Sequence, residues 1–217
     1  MSDLHNIALT PNQTILLNTV ILVLIATALY RAERKLDGSD PWIMLFILAI
    51  FAIAGRILLD PLPNIQPVTV VVLLTGIYYG GPRAFALAGI VALSTNFLVL
   101  GHGPWTLFQV VGWGSIGVAG ALLSDRLLID GKLNLNRLAV FAAVSGFVFN
   151  WIVSLSILMR TDPSMLIPYV LSGLTFDMYH AAGNILFVAW MAEPLGEMML
   201  RHQTSPNHKA VSEVVTN

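Results

Sequence analysis

Apolar runs, several of them long enough to span a bilayer, recur along this chain, separated only by short breaks rich in proline, glycine or charge. A helical crossing takes roughly 20 residues, and seven runs are readable, at about 11–30, 42–59, 67–79, 83–100, 105–128, 136–159 and 168–200. Thr10 is placed to cap the first, and Pro11 to occupy its first turn. The charged cluster Arg31-Ala-Glu-Arg-Lys35 stops that run, and Asp60-Pro61, Gly80-Gly81-Pro82 and Gly101-His102-Gly103-Pro104 divide later ones. Only 11% of the 217 residues are charged and 56% are hydrophobic, against about 25% and 45–50% in a soluble domain. So few charges cannot cover a water-facing surface, which excludes an independent soluble catalytic domain. The expected fold is an all-α integral membrane protein, one domain over 1–201 followed by a polar, disordered tail over 202–217. The first residues lack the basic stretch of a cleavable signal peptide, so the first run is expected to stay as a membrane helix.

The few basic residues orient this bundle. With seven spans, Arg31, Arg34, Lys35, Arg83, Arg126, Lys132, Arg137, Arg201 and Lys209 fall on one side. Only Arg56 and Arg160 fall on the other, completing the eleven. Cytoplasmic loops carry the excess of lysine and arginine, so the expectation is an outside N-terminus and a cytoplasmic C-terminus. The less ordinary breaks, Leu62-Pro-Asn-Ile-Gln-Pro67, Gly101-His-Gly-Pro-Trp105 and Arg160-Thr-Asp-Pro163, then all lie outside. The net charge of −1 gives no reason to expect a nucleic-acid partner.

Ionisable and amide side chains within spans are expensive there, and each is a functional candidate. Asp177, His180 and Asn184 stand at i, i+3 and i+7 and share one helical face. They suit either an interhelical hydrogen-bond set or a ligand site. Asn96, late in its span, and Gln109, one turn into the next, pose the same choice. Trp105 and Trp113 flank Gln109 on one face, and an aromatic platform beside amides suits a large planar ligand. In Pro63-Asn-Ile-Gln-Pro-Val-Thr69 two prolines rigidify a helix start. Its backbone N–H groups are placed either to receive an anionic or carbonyl group or to close a simple turn with Thr69 satisfied locally.

Small residues crowd several helices: Ala84, Ala88 and Ala92; Gly112, Gly114, Gly117 and Gly120; Ala49, Ala52, Ala54 and Gly55. Such residues let helices approach closely, whether inside the bundle or against a partner membrane protein. Enzyme motifs are missing: there is no phosphate loop and no His-Glu-x-x-His, and Gly112-Trp-Gly-Ser115 only approximates a nucleophile elbow. The absence of cysteine excludes disulfides and thiolate chemistry. His102 sits among glycines in a loop, which disfavours pairing with His180 as haem ligands. No catalytic role, metal or cofactor is expected.

Seven stretches, in order, carry a family resemblance. They are Ala52-Ile-Ala-Gly-Arg56, Pro63-Asn-Ile-Gln-Pro-Val-Thr69, Tyr79-Gly-Gly-Pro-Arg83, Ser94-Thr-Asn-Phe97, Gly101-His-Gly-Pro-Trp-Thr106, Gln109-Val-Val-Gly-Trp113 and Phe176-Asp-Met-Tyr-His-Ala-Ala-Gly-Asn184. Together they resemble the substrate-binding S-components of energy-coupling-factor (ECF) vitamin transporters, in the branch associated with cobalamin and its precursors. The resemblance implies a six-helix bundle over 42–200 with an added N-terminal helix at 11–30, in the cell inner membrane. It implies capture of a vitamin, cobalamin or a corrinoid precursor first, beneath outward-facing loops. Arg56, Asn64, Gln66, Thr69, Asn96, His102, Trp105, Gln109, Asp177, His180 and Asn184 are the expected lining. Import would then depend on a transmembrane coupling protein and two cytoplasmic ATPase subunits. The family often docks its coupler through Ala-x-x-x-Ala on its first helix. Ala49, Ala52, Ala54 and Gly55 are small but differently spaced, which keeps open a structural or assembly role in another membrane complex.

Overall fold

In the computed structural model the described residues are 41–202, with positions 12, 13, 16 and 20 before them. The expected N-terminal helix at 11–30 is therefore described at four positions only, and the expected tail lies outside the described residues apart from His202.

Helix α1 spans Pro41–Leu58, α2 Val68–Tyr79, α3 Gly81–Thr95 and α4 Pro104–Leu122. After a four-residue α5, Ser124–Leu127, come α6, Leu135–Ser154, α7, Leu166–Phe187, and α8, Glu193–Arg201. A π-turn, Asn96–Leu100, extends α3, and another, Val188–Ala192, joins α7 to α8. Among the described residues, three stretches are long and apolar enough to cross a membrane: Gly81–Leu100, Pro104–Leu122 and Leu135–Met159. The apolar stretches Trp42–Leu58 and Val68–Tyr79 are shorter than such a crossing.

Helix α2 is the axis of the bundle, with all twelve of its residues buried. It packs against α1, α3, α4, α6, α7 and α8. Val68, Val70, Val71 and Val72 are fully enclosed and would suit a strand by propensity. A helix prevails because it satisfies its own backbone groups where no water or strand partner is at hand. Close contact with α4 depends on glycine at two levels. A Cβ on Gly76 would strike the Gly117 carbonyl oxygen, and one on Gly120 would lie 2.8 Å from the Leu73 carbonyl oxygen. Ala84, Ala88 and Ala92 are wholly buried, so this series also serves internal packing.

The outer surface is apolar over large areas. Ile43, Phe46, Ile47 and Ile50 on α1 and Ile167, Leu171, Met178 and Leu186 on α7 are exposed. Such an apolar belt is compatible with a lipid-embedded helical protein.

Two local departures from expectation have clear causes. The helix expected to run to about residue 128 ends at Leu122, and a small antiparallel hairpin pairs Leu128 with Leu133 and Ile129 with Lys132. Asp130 and Gly131 form its turn with φ of 51° and 75°, the type I′ geometry that Asp-Gly favours. The bundle is thus helical apart from these two-residue strands among the described residues. At the other end of the bundle Asn64 has φ of 59°, a left-handed conformation that asparagine tolerates.

Candidate functional site

The three breaks assigned to one side of the bundle converge on a cavity of about 510 Å³. Gln66 comes from the first, Leu100, Pro104 and Trp105 from the second, and Arg160 and Thr161 from the third. Arg56 and Asp60 from the end of α1, Asn96 and Val99 from the π-turn, Gln109 from α4, Tyr169 from α7, and Val153, Ser156 and Ile157 complete the wall. The local backbone arranges this. The π-turn shifts the register at Asn96, a device common at functional sites, while Leu155–Met159 tightens into a 3₁₀-helix that delivers Arg160 to the rim. Asp162 then caps the next turn by accepting from the Ser164 N–H at 2.9 Å, and hydrogen bonding from the Ser164 side chain, with that N–H second, holds its carboxyl below the usual range.

Arg56 is the central charge. Only 4% of its surface is exposed although it stands in the last turn of α1, and a buried charge is costly unless its hydrogen-bonding groups are satisfied. Its Nε donates to Gln66 Oε1 at 3.2 Å, its Nη1 donates to Thr95 Oγ1, and its guanidinium lies 4.9 Å from the Trp113 ring centroid. These contacts hold the cation in place, but no carboxylate of a described residue is ion-paired with it.

A second polar cluster borders the same wall. Asn96 Nδ2 donates to Thr106 Oγ1 at 2.8 Å and to Gln109 Oε1 at 2.6 Å, while Asn96 Oδ1 is buried without a partner among the described residues. Thr106 Oγ1 accepts from Asn96 Nδ2 and from the Gly103 N–H at 3.5 Å, which fills both acceptor sites and leaves its proton for His102 Nδ1 at 3.1 Å. His102 therefore carries its proton on Nε2, which is buried without a described partner. Burial lowers its pKa below the ordinary 6.5.

Beneath Arg56 a chain of hydrogen bonds crosses the bundle. Trp113 Nε1 donates to Thr69 Oγ1 at 3.1 Å, and Thr69 lies 2.8 Å from His180 Nε2. His180 Nδ1 is 3.3 Å from Asn150 Oδ1, and Asn150 Nδ2 donates to Asp177 Oδ1 at 2.8 Å. Trp151 Nε1 donates to Asp177 Oδ2 at 2.9 Å. Indole N–H groups only donate, so one assignment satisfies every member: the Thr69 hydroxyl gives its proton to Nε2, and a neutral His180 donates from Nδ1. Phe149 stacks on Trp113 at 4.3 Å and meets His180 edge-on at 5.3 Å. The set locks α2, α4, α6 and α7 together and fixes the ring under the arginine.

No family model, no curated protein and no solved structure matches the chain.

Of the expected lining residues, Arg56, Gln66, Asn96, Trp105 and Gln109 line the cavity. Thr69, Asp177 and His180 belong to the chain below it, and His102 to the Thr106 cluster. Asn184 donates to the Ala142 carbonyl at 2.9 Å. Asn64 shapes the loop turn and donates to the Phe176 carbonyl at 3.3 Å. Of the small residues on α1, Ala49 and Ala52 are buried in the core, and a Cβ on Gly55 would clash with Pro67. Ala54 is the exposed one. Asp60, Tyr169 and Arg160 in the wall and Asn150 in the chain are not among the expected lining residues. An amide within a span is the same signal that marked Asn96, so Asn150 was there to be found. Among the described residues no three His, Asp or Glu side chains gather where they could hold a metal ion.

Proposed function

We propose that the protein is the substrate-binding membrane subunit of a vitamin uptake transporter, taking a ligand with an anionic group into the cavity at Arg56. The carrying observation is a buried guanidinium that borders a cavity and makes no close ion pair with a described carboxylate, Asp60 in the same wall acting on it only from a distance. A carboxylate or phosphate on the ligand would supply the close ion pair that Asp60 does not make, and the amides of Gln66, Asn96 and Gln109 would read neighbouring polar groups. The family resemblance supports a multi-pass protein of the inner membrane, loaded from outside and served by a coupling protein and two ATPases. Cobalamin or a corrinoid precursor is the ligand that resemblance favours. A cavity of about 510 Å³ is mid-range for small-molecule sites, so a compact vitamin would enter whole. A corrinoid would enter by its phosphate-bearing edge with the loops parted.

Mass spectrometry of molecules released from the purified protein, followed by titration of cobalamin and of smaller anionic vitamins, tests this reading. Arg56→Gln is expected to weaken the bound ligand about ten- to hundredfold, the range for losing a charged hydrogen bond, while Arg56→Lys retains part of the affinity. If no vitamin binds, or if Arg56→Gln leaves affinity unchanged, the reading fails.

One observation favours the alternative, an S-component-like subunit with a structural or assembly role. Ala49, Ala52 and Gly55 face internal contacts, which leaves little of the expected coupler-docking stripe for a partner. Co-purification separates the two: ATPase subunits in the complex support transport, and a stable complex without them supports assembly.

A further inference from the structure

A second cavity, of about 490 Å³, lies at the other end of α6. Its surface is almost wholly apolar, lined by Leu123, Leu127, Val140, Phe141 and Val144, with Arg126, Asn136 and Arg137 adding little polar surface. From Arg137 to Val153, on the wall of the first cavity, α6 rises about 24 Å, so the two sites stand close to a bilayer core apart. Arg137 Nη1 donates to the Arg126 main-chain carbonyl at 3.0 Å, and both residues line the cavity. Neither is ion-paired with a described carboxylate. Asp125 and Asp130 lie in the same segment but outside the cavity lining.

Two exposed cations at one cavity, neither ion-paired with a described carboxylate, favour an anion there. The apolar side sets what that anion is attached to. Arg137, Val140, Val144, Val148 and Trp151 follow the helical spacing of one stripe, and all five are exposed. A basic head therefore continues into an uncovered apolar track running along the helix. Basic pockets at the ends of membrane helices suit anionic lipid head groups.

We propose that this face binds an anionic phospholipid, its phosphate held between Arg126 and Arg137 and an acyl chain laid along Val140, Val144 and Val148. The site requires that the chain sit in a membrane but is independent of which ligand, if any, enters the first cavity.

Native mass spectrometry of the full-length protein in detergent, with added phosphatidylglycerol or phosphatidylcholine, tests it. Phosphatidylglycerol is expected to be retained in preference, and the preference to shrink as salt rises. Arg126→Gln and Arg137→Gln should each weaken retention about fivefold, the attraction of one arginine to an anionic lipid surface. Val144→Asn, on the exposed track, should weaken lipid retention without changing any effect of inorganic phosphate. Equal retention of the two lipids, or unchanged retention in the Arg126→Gln/Arg137→Gln double variant, overturns the proposal. So does displacement of the lipid by millimolar inorganic phosphate, which would make this a bare anion site. Both arginines are exposed, and vitamin titration of the same variants reports separately on the first cavity.

Discussion

Gly76→Ala is the substitution that the α2–α4 contact should tolerate least. A Cβ there would lie 2.8 Å from the Gly117 carbonyl carbon and 3.2 Å from the Ala121 nitrogen, and closer still to the Gly117 oxygen. Ordinary contact begins at 3.4 Å, so the two helices must part by at least 0.6 Å. Both sides of the clash are backbone, and no rotamer change relieves it. Overpacking of this kind costs about 1–3 kcal/mol and occasionally more, and the rigid case belongs at the upper end. Alanine returns about 1 kcal/mol of helix propensity, leaving a net loss of about 2 kcal/mol. Resolved along the 3.1 Å Trp113–Thr69 bond, a displacement of 0.6 Å or more would stretch it to about 3.7 Å or beyond, outside hydrogen-bonding range. Ligand affinity should therefore fall along with stability. Gly173 is the internal control: its Cβ meets nothing within 4 Å, so Gly173→Ala should stabilise by up to about 1 kcal/mol. Unfolding of the detergent-purified proteins by heat or denaturant reads the contrast. A Gly76→Ala protein at least as stable as its parent would falsify the packing described for this pair.

Thr69→Val keeps shape but removes the hydroxyl shared by Trp113 and His180. With interhelical hydrogen bonds in membranes worth about 0.6 kcal/mol on average and unpaired buried groups costing about 1–3 kcal/mol, the expected loss is about 1–3 kcal/mol. The Thr69→Val/His180→Phe double variant should lose less than the two singles added together, and strict additivity in unfolding measurements would refute the coupling. His102 supplies a pH dependence. Its folded-state pKa is lowered by burial, so the fold favours the neutral ring and the unfolded chain binds more protons below about pH 6.5. Stability of the loop should be full above that pH and decline as pH falls toward the lowered value, read as rising protease sensitivity near Gly101–Gly103. His102→Gln should remove the trend, and an identical pH profile in that variant would refute it.

The helices themselves were readable because apolar runs end at recognisable breaks. Val68–Tyr79 and Pro104–Leu122 begin within a residue of where the proline-marked breaks place them. The partners of polar residues were not readable. Asp177, His180 and Asn184 share a helix face, yet Asp177 meets Asn150 and Trp151, His180 meets Thr69 and Asn150, and Asn184 meets the Ala142 backbone. Spacing along one helix fixes a direction, whereas the partner depends on how neighbouring helices cross. Thr69 shows the same limit, since a local turn would have satisfied it as well as the distant ring of Trp113 that it accepts from. Asp130-Gly131 was a readable hairpin turn lost inside an apolar context that favoured helix. The cavity itself needed the fold, because Arg56, Asn96 and Arg160 come together from segments more than a hundred residues apart in total.

The burial of α2 on every side bears on how the chain enters a membrane. Twelve residues rise about 18 Å, short of a hydrocarbon core of about 30 Å, so this helix makes a poor crossing by itself. Gly80 turns the chain directly into α3 with φ of 86°, and α3 with its π-turn reaches through twenty residues. The two are suited to insert as one hairpin, with the longer arm anchoring the shorter. Each later helix that docks would cover another side of α2, so a helix enclosed on every side would depend on the order of its assembly.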